Sequence, residues 1–245
     1  MNNFKIKSNY TDSFYDISFY IPNAPATNNL PLIFVLDGIN CFEVVKACVK
    51  QQSKVSVKTG VKPAIVVGIS HQEFEMKEKR FLDFTAPADN YFVEEAKKFK
   101  IPGNLGGSER FSSFIEKELI PIIESNLNFD RDNITIVGHS LSGYYVLWNL
   151  LKGSNLYKNI ISFSPSVWWN DYELLKFPSL EKSNKNIFIG VGEKEGYMVE
   201  GANNIYNKIM EFNDNCTIYV APEENHGSVV VTSISRALRY INSFI

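Results

Sequence analysis

Cysteine and histidine are both scarce in this chain, with three of each among 245 residues. The cysteines, Cys41, Cys48 and Cys216, are an odd set, and the first two fall seven positions apart in an expected helix, where a bridge has poor geometry. A disulfide framework is therefore excluded, and a reducing, cytoplasmic setting is the expectation. His71, His139 and His226 stand apart from one another and from any cysteine at ligand spacing, so no metal and no cofactor is expected. No stretch approaches the ~18–20 consecutive apolar residues of a membrane span. The first twenty residues also lack the basic start, apolar core and small-residue cleavage site of a secretory signal. Charge of one sign is missing too: the formal net charge is -2 and the pI is near 6.0. No field for nucleic acid or an anionic membrane surface arises from that balance. Mixed runs such as EMKEKR (75–80) and EEAKKFK (94–100) read as solvated helix faces.

What is abundant is apolar sequence, 44% of residues, with 13% aromatic. That suffices for one large core, and 1–245 is expected to form a single domain. Six short runs are apolar at successive positions: PLIFVLDG (31–38), PAIVVGIS (63–70), NITIVGHS (133–140), NIISFSPS (159–166), NIFIGVG (186–192) and NCTIYVAP (215–222). Strands covered on both faces read this way, whereas half-exposed strands alternate. Helical spacing marks 109–126, 142–152, 199–212 and 228–245, and 40–50 reads as a further helix. The N-terminal FKIKSNY and SFYDISFYIP do alternate, predicting an antiparallel pair at the sheet edge with YTDS as its turn. The pattern is α/β: a mostly parallel central sheet with helices on both faces and an antiparallel N-terminal edge. Residues 71–108 are polar and irregular, with Pro87, Pro102 and a GNLGG stretch, and are expected to form a substrate-side loop or lid.

The sharpest chemical signal is GHSLSG at 138–143, between an apolar strand and a helical segment. A strand, tight turn and helix in that order lift a serine hydroxyl out at the carboxyl end of a sheet, and small neighbours make room for the turn. Ser140 is the lifted residue and the expected nucleophile; Ser142 stands where G-x-S-x-G has its last glycine. A serine hydroxyl needs a base and an acid that orients the base. His226, just past the last strand in PEENHGS, has the right place for the base. The turn GEKEGYMVE offers Glu195 first, Glu193 second and Glu200 third as the acid, with an acid-less dyad as the alternative. The oxyanion calls for two backbone N–H donors, Leu141 after the nucleophile and Gly38 or Ile39 after the strand ending VLDG.

These blocks resemble the esterase D-like esterase family, and within it the esterases that open the trilactones of enterobactin- and bacillibactin-type siderophores. The resemblance rests on LDG (36–38), RFLDFTAPA (80–88), GGSERFSSFIEKELIPIIE (106–124), GHSLSG, SPSVWW (164–169), GEKEGYMVEGA (192–202) and ENHGSV (224–229). It implies an α/β-hydrolase fold, with Ser140 as nucleophile, His226 as base and Glu195 as acid. Ser142 departs from the family's GHSLGG, and Leu82 stands where an arginine often precedes the aspartate. Arg80 and Lys79 are then the nearby cations for an anionic substrate, and Trp168 and Trp169 the candidates to line an acyl pocket. The expected partner is a small-molecule ester. A short-acyl or aromatic-ester esterase, an acyltransferase and a non-catalytic binding module are the rival readings.

Overall fold

The computed structural model describes residues 3–23, 29–89, 94, 97, 100–101, 104–178 and 180–244. Its centre is an eight-stranded sheet: β1 (Phe4–Lys7), β2 (Phe14–Tyr20), β3 (Leu30–Leu36), β4 (Ile65–His71), β5 (Phe129–His139), β6 (Asn159–Phe163), β7 (Asn186–Gly192) and β8 (Cys216–Ala221). The spatial order is β1-β2-β4-β3-β5-β6-β7-β8. β1 pairs antiparallel with β2, and β2 antiparallel with β4, while the remaining neighbours are parallel.

Side chains on a strand alternate between faces, so runs apolar at every position must feed two cores. They do. Leu32, Phe34 and Leu36 of β3 enter one cluster, and Ile33 and Val35 enter the other. The second is closed by helices α1 (Gly38–Gln52) and α7 (Val229–Asn242). The first lies under the segment 108–124 and under α4 (Leu141–Leu151), α5 (Trp169–Lys176) and α6 (Tyr197–Met210). Each fully buried Ile, Leu or Phe in these layers contributes about 1.5–3 kcal/mol.

Three departures from the sequence pattern have physical causes. β5 begins at Phe129 rather than 133, because Phe129 and Asp130 pair with Leu30 and Pro31 before a register shift passes over the polar 131–133 stretch. The helix expected over 109–126 is α3, in three parts. Ser108–Phe114 and Ile120–Glu124 flank a π-helical turn, Ile115–Leu119. Pro121, just beyond the turn, has no N–H to donate and its ring crowds the carbonyl four residues back, which widens the helix there. In the irregular stretch 71–108, Met76–Phe84 forms helix α2. The rest of that stretch includes residues outside those described, at 90–93, 95–96, 98–99 and 102–103.

β3 sends the chain to β4 on one side and is flanked by β5 on the other, so the strand order reverses there. In open α/β sheets ligands bind in the crevice at such a switch point, beyond the carboxyl ends of the strands. Val35 pairs with Val137, which brings the segments after Leu36 and after His139 side by side.

Candidate active site

Ser140 sits between β5 and α4 with φ 60° and ψ −116°, a conformation that costs a non-glycine residue about 1–3 kcal/mol. Three backbone hydrogen bonds hold it there. Its N–H donates to the Phe163 carbonyl at 2.9 Å, and its own carbonyl accepts from Tyr144 at 2.9 Å and Ser166 at 3.1 Å. The turn is so tight that a Cβ on Gly138 would stand 2.2 Å from the Ser142 carbonyl oxygen. Glycine at 138 is therefore obligatory for the geometry of its neighbour.

Leu141 is the first residue of α4, and Gly38 and Ile39 are the first two of α1. N–H groups in a first turn have no intrahelical acceptor and carry the positive end of the helix dipole. The expected oxyanion donors thus all lie at helix starts, at the switch point. Gly38 packs against β4, where an added Cβ would meet Ser70 Oγ at 2.7 Å.

His226 leaves the last strand on a turn built by Asn225, whose Oδ1 accepts the Gly227 N–H at 2.9 Å and whose carbonyl accepts the Ser228 and Val229 N–H groups at 3.1 Å. Its Nδ1 lies 2.6 Å from Glu195 Oε2. The other Glu195 oxygen accepts from Ser164 Oγ at 2.6 Å and from the Gly192 N–H at 2.7 Å. Burial works against ionising this carboxyl, but the hydrogen bonds from His226, Ser164 and Gly192 outweigh it and hold the pKa below its ordinary value. With an ionised carboxylate on Nδ1, that nitrogen donates and Nε2 is left as the acceptor.

The Glu195 side chain is 2% exposed and the imidazole 43%, so the pair has a buried anchor and an open working edge. Glu193 accepts instead from the Glu223 N–H, and Glu200 is exposed on α6. Of the three glutamates the sequence offers, Glu195 is the one joined to His226. The His139 ring, one residue before Ser140, lies 4.5 Å from the His226 ring centre. Burial, reinforced by His226, pushes the His139 pKa down to about 4 and keeps it neutral.

Arg80 is placed differently from the sequence expectation. Its Nε and Nη2 donate to Asp37 Oδ1 and Oδ2 at 2.6 and 2.9 Å, a bidentate pair. Burial opposes the Arg80 charge, but the carboxylate outweighs it and raises the pKa. The guanidinium is thus matched to a protein carboxylate rather than held free for an anionic substrate. Trp169 is also corrected: it is 0% exposed and packs edge-on to Trp168 and against Phe81, so it fills core, and only Trp168 keeps some accessible surface. Ser164, Asp37 and Ser142 were not singled out as site residues by sequence reasoning. SPSVWW and LDG contain the first two, but neither motif announces a partner.

Among the described residues no three His, Cys, Asp or Glu side chains gather as metal ligands, and no helix is long and apolar enough to cross a membrane. A concavity of about 780 Å³ lined by Arg131, Lys158 and Lys185 lies at the amino ends of β6 and β7, remote from Ser140.

A sheet of this order, with a left-handed serine at the tip of its central strand and a histidine past its last, defines the α/β-hydrolase class. Residues 8–226 match the family described as "Putative esterase"; the chain belongs to that family and is a carboxylic-ester hydrolase. It is 33% identical over 231 residues to the ferri-bacillibactin esterase BesA of Bacillus subtilis, covering 88% of this chain and 80% of the relative. Identity with a siderophore enterobactin esterase of Emericella nidulans is 21% over 250 residues, 86% of this chain and 82% of that one. The crystal structure of the BES protein from Bacillus cereus superposes with a TM-score of 0.86 at 35% identity, covering 98% of this chain and 95% of that one.

Proposed function

We propose that the chain hydrolyses a siderophore trilactone, or the linear esters derived from it, through an acyl-enzyme on Ser140. The observation that carries this reading is the Glu195–His226 pair, anchored at 2.6 Å and open on its far side, beside the strained serine turn. The names of the relatives supply the substrate class. In the first half-reaction Ser140 Oγ attacks the ester carbonyl while His226 Nε2 takes its proton, and the tetrahedral oxyanion is held by N–H groups of Leu141 and of Gly38 or Ile39. The C–O bond to the alcohol then breaks, and His226 returns the proton to the departing oxygen. In the second, a water gives a proton to His226 as it attacks the acyl carbon; the bond to Ser140 Oγ then breaks, His226 returns that proton to Oγ, and the acid departs. Glu195 stays ionised throughout, stabilising the imidazolium and fixing its tautomer. We take the chain to act as one catalytic unit, with Trp168 lining the acyl side and α2, the described helix of the 71–108 stretch, on the substrate side.

A second reading, an esterase for simple aromatic or short-acyl esters, is favoured by one observation: Arg80 is matched to Asp37 rather than free to meet a ferric catecholate anion. Hydrolysis of ferric and iron-free enterobactin or bacillibactin, measured beside p-nitrophenyl acetate, separates the two. The expected result is a far higher kcat/KM for the trilactones, with all turnover lost in Ser140→Ala. Turnover of the simple ester alone would leave the serine esterase and remove the siderophore.

A further inference from the structure

The two oxyanion donors belong to different helices, and nothing internal to either helix sets the distance between them. A developing oxyanion needs both N–H groups at 2.7–3.1 Å at once. The structure contains a tie across this gap. Asp37, immediately before Gly38, is held in the left-handed region at φ 51° and ψ 44°, and its carbonyl accepts the Asn40 and Cys41 N–H groups at the start of α1. Its carboxylate is 4% exposed and takes three hydrogen bonds, two from Arg80 and one, at 2.7 Å, from Ser142 Oγ.

Ser142 is fully buried on the nucleophile turn, two residues beyond Ser140, and its oxygen accepts the His139 N–H at 2.9 Å. The single hydroxyl proton has two acceptors within reach, Asp37 Oδ2 at 2.7 Å and the His139 carbonyl at 2.9 Å. The nearer, charged carboxylate is the stronger of the two. One hydroxyl therefore grips the nucleophile turn on both sides of Ser140 and fastens it to the residue that launches the other oxyanion segment. In G-x-S-x-G this position has no side chain, so the tie is something Ser142 adds.

Resting on the reading of Ser140 as nucleophile, we propose that Ser142 is a positioning residue: through Asp37 it sets the spacing between the Leu141 amide and the Gly38 and Ile39 amides. Arg80 serves the same end, because its two donors fix the buried carboxylate in place and pair its charge. A hole assembled this way matters when the carbonyl oxygen becomes an oxyanion, and hardly at all for substrate that is merely bound.

The test compares Ser142→Ala and Ser142→Cys with the wild type. The cysteine variant leaves no cavity, its sulfur being somewhat larger than the hydroxyl oxygen, but has only a weak S–H donor, so it guards against a packing failure in the alanine variant. Measured are kcat and KM for p-nitrophenyl acetate, inhibition by a trifluoromethyl ketone that forms a tetrahedral adduct, inhibition by the product acid, and the thermal midpoint. In both variants kcat should fall roughly 10–100-fold, below the 10²–10³ of a donor removed outright. KM and product-acid affinity should stay within about 2-fold, and ketone affinity should fall in step with kcat, as required of an effect confined to the transition state. Wild-type kcat in Ser142→Cys would overturn the proposal, as would ketone affinity that stays level while kcat falls, or equal loss of ketone and product-acid binding. Failure of the underlying reading shows elsewhere: Ser140→Ala would then keep its turnover, whatever residue 142 does.

Discussion

Two histidine–carboxylate pairs lie among the described residues, and they resemble each other in chemistry far more than in surroundings. His226 Nδ1 stands 2.6 Å from Glu195, and His71 Nε2 stands 3.0 Å from Asp83. Both histidines lie at the carboxyl side of the sheet, one after β8 and one ending β4. The first imidazole is 43% exposed, whereas the second is 2% exposed on a carboxylate that is 1% exposed. Around His71 the wall is aromatic: Phe84 meets it edge-on at 5.2 Å, Phe111 stacks at 6.2 Å, and the Tyr15 hydroxyl donates to Asp83 at 2.5 Å. The sealed pair fastens the antiparallel strand β2 and helix α2 to β4. The open pair has a strained serine beside it and a face that a substrate can reach. On the proposed mechanism, access on the imidazole's far side, rather than the hydrogen bond the two pairs share, separates a proton shuttle from a clasp.

If that contrast is right, removing the two histidines should give mirror-image phenotypes. His226→Ala should cost roughly 10⁴–10⁶-fold in kcat, the loss expected when the base of such a triad is deleted, with stability lowered by about 1 kcal/mol or less. His71→Ala should lower stability by roughly 3–5 kcal/mol, the usual result of leaving one member of a buried pair alone, while kcat per folded molecule stays within about 2-fold. Urea melts and active-site-titrated kinetics on both variants check this. Any large loss of kcat in folded His71→Ala would break the distinction between the pairs. A smaller effect is expected at the acid. Glu195→Gln should lower kcat by up to roughly 10⁴-fold, as in triads whose aspartate is replaced by its amide, and Glu193→Gln should leave kcat nearly unchanged. Equal activity of the two variants would mean a Ser140–His226 dyad.

The same contrast shows what could be read from the chain alone. The strands were legible because parallel, doubly covered strands must be apolar at successive positions, and the turn at Ser140 was legible because it constrains its neighbours to be small. The position of His226 past the last strand is legible too, and His71 has no such position. Choosing among Glu193, Glu195 and Glu200 turns on a 3₁₀ turn at Glu193–Glu195 that aims alternate carboxylates in different directions, which composition does not encode. Trp168 and Trp169 are adjacent, and only the packing at Phe81 decides which one is core. Ser142 looked like a tolerated substitute for glycine, because its partner Asp37 is 105 positions away. Arg80 looked like a free cation for the same reason: its carboxylate lies 43 positions back, at the end of β3. Pairings between distant loops are properties of the closed sheet, and no local spacing carries them.

The smallest effect expected distinguishes Glu195 through its proton rather than its turnover. Burial disfavours its charge, yet His226, Ser164 and the Gly192 N–H together hold its pKa below the ordinary 4.5. A carboxyl depressed on folding binds its proton less tightly in the native state than in the unfolded one. The stability it contributes is therefore complete above about pH 4.5 and drains away as pH falls through the depressed native value. Glu195→Gln cannot titrate and has no such contribution to lose. The difference in unfolding free energy between wild type and Glu195→Gln should thus be constant at neutral pH and shrink below about pH 4.5, measured by urea melts on both proteins. A gap that stayed constant down to pH 3 would mean that the native and unfolded carboxyl bind their proton equally, so that the three donors do no more than offset the cost of burial. The open pair would then differ from the sealed one in exposure alone.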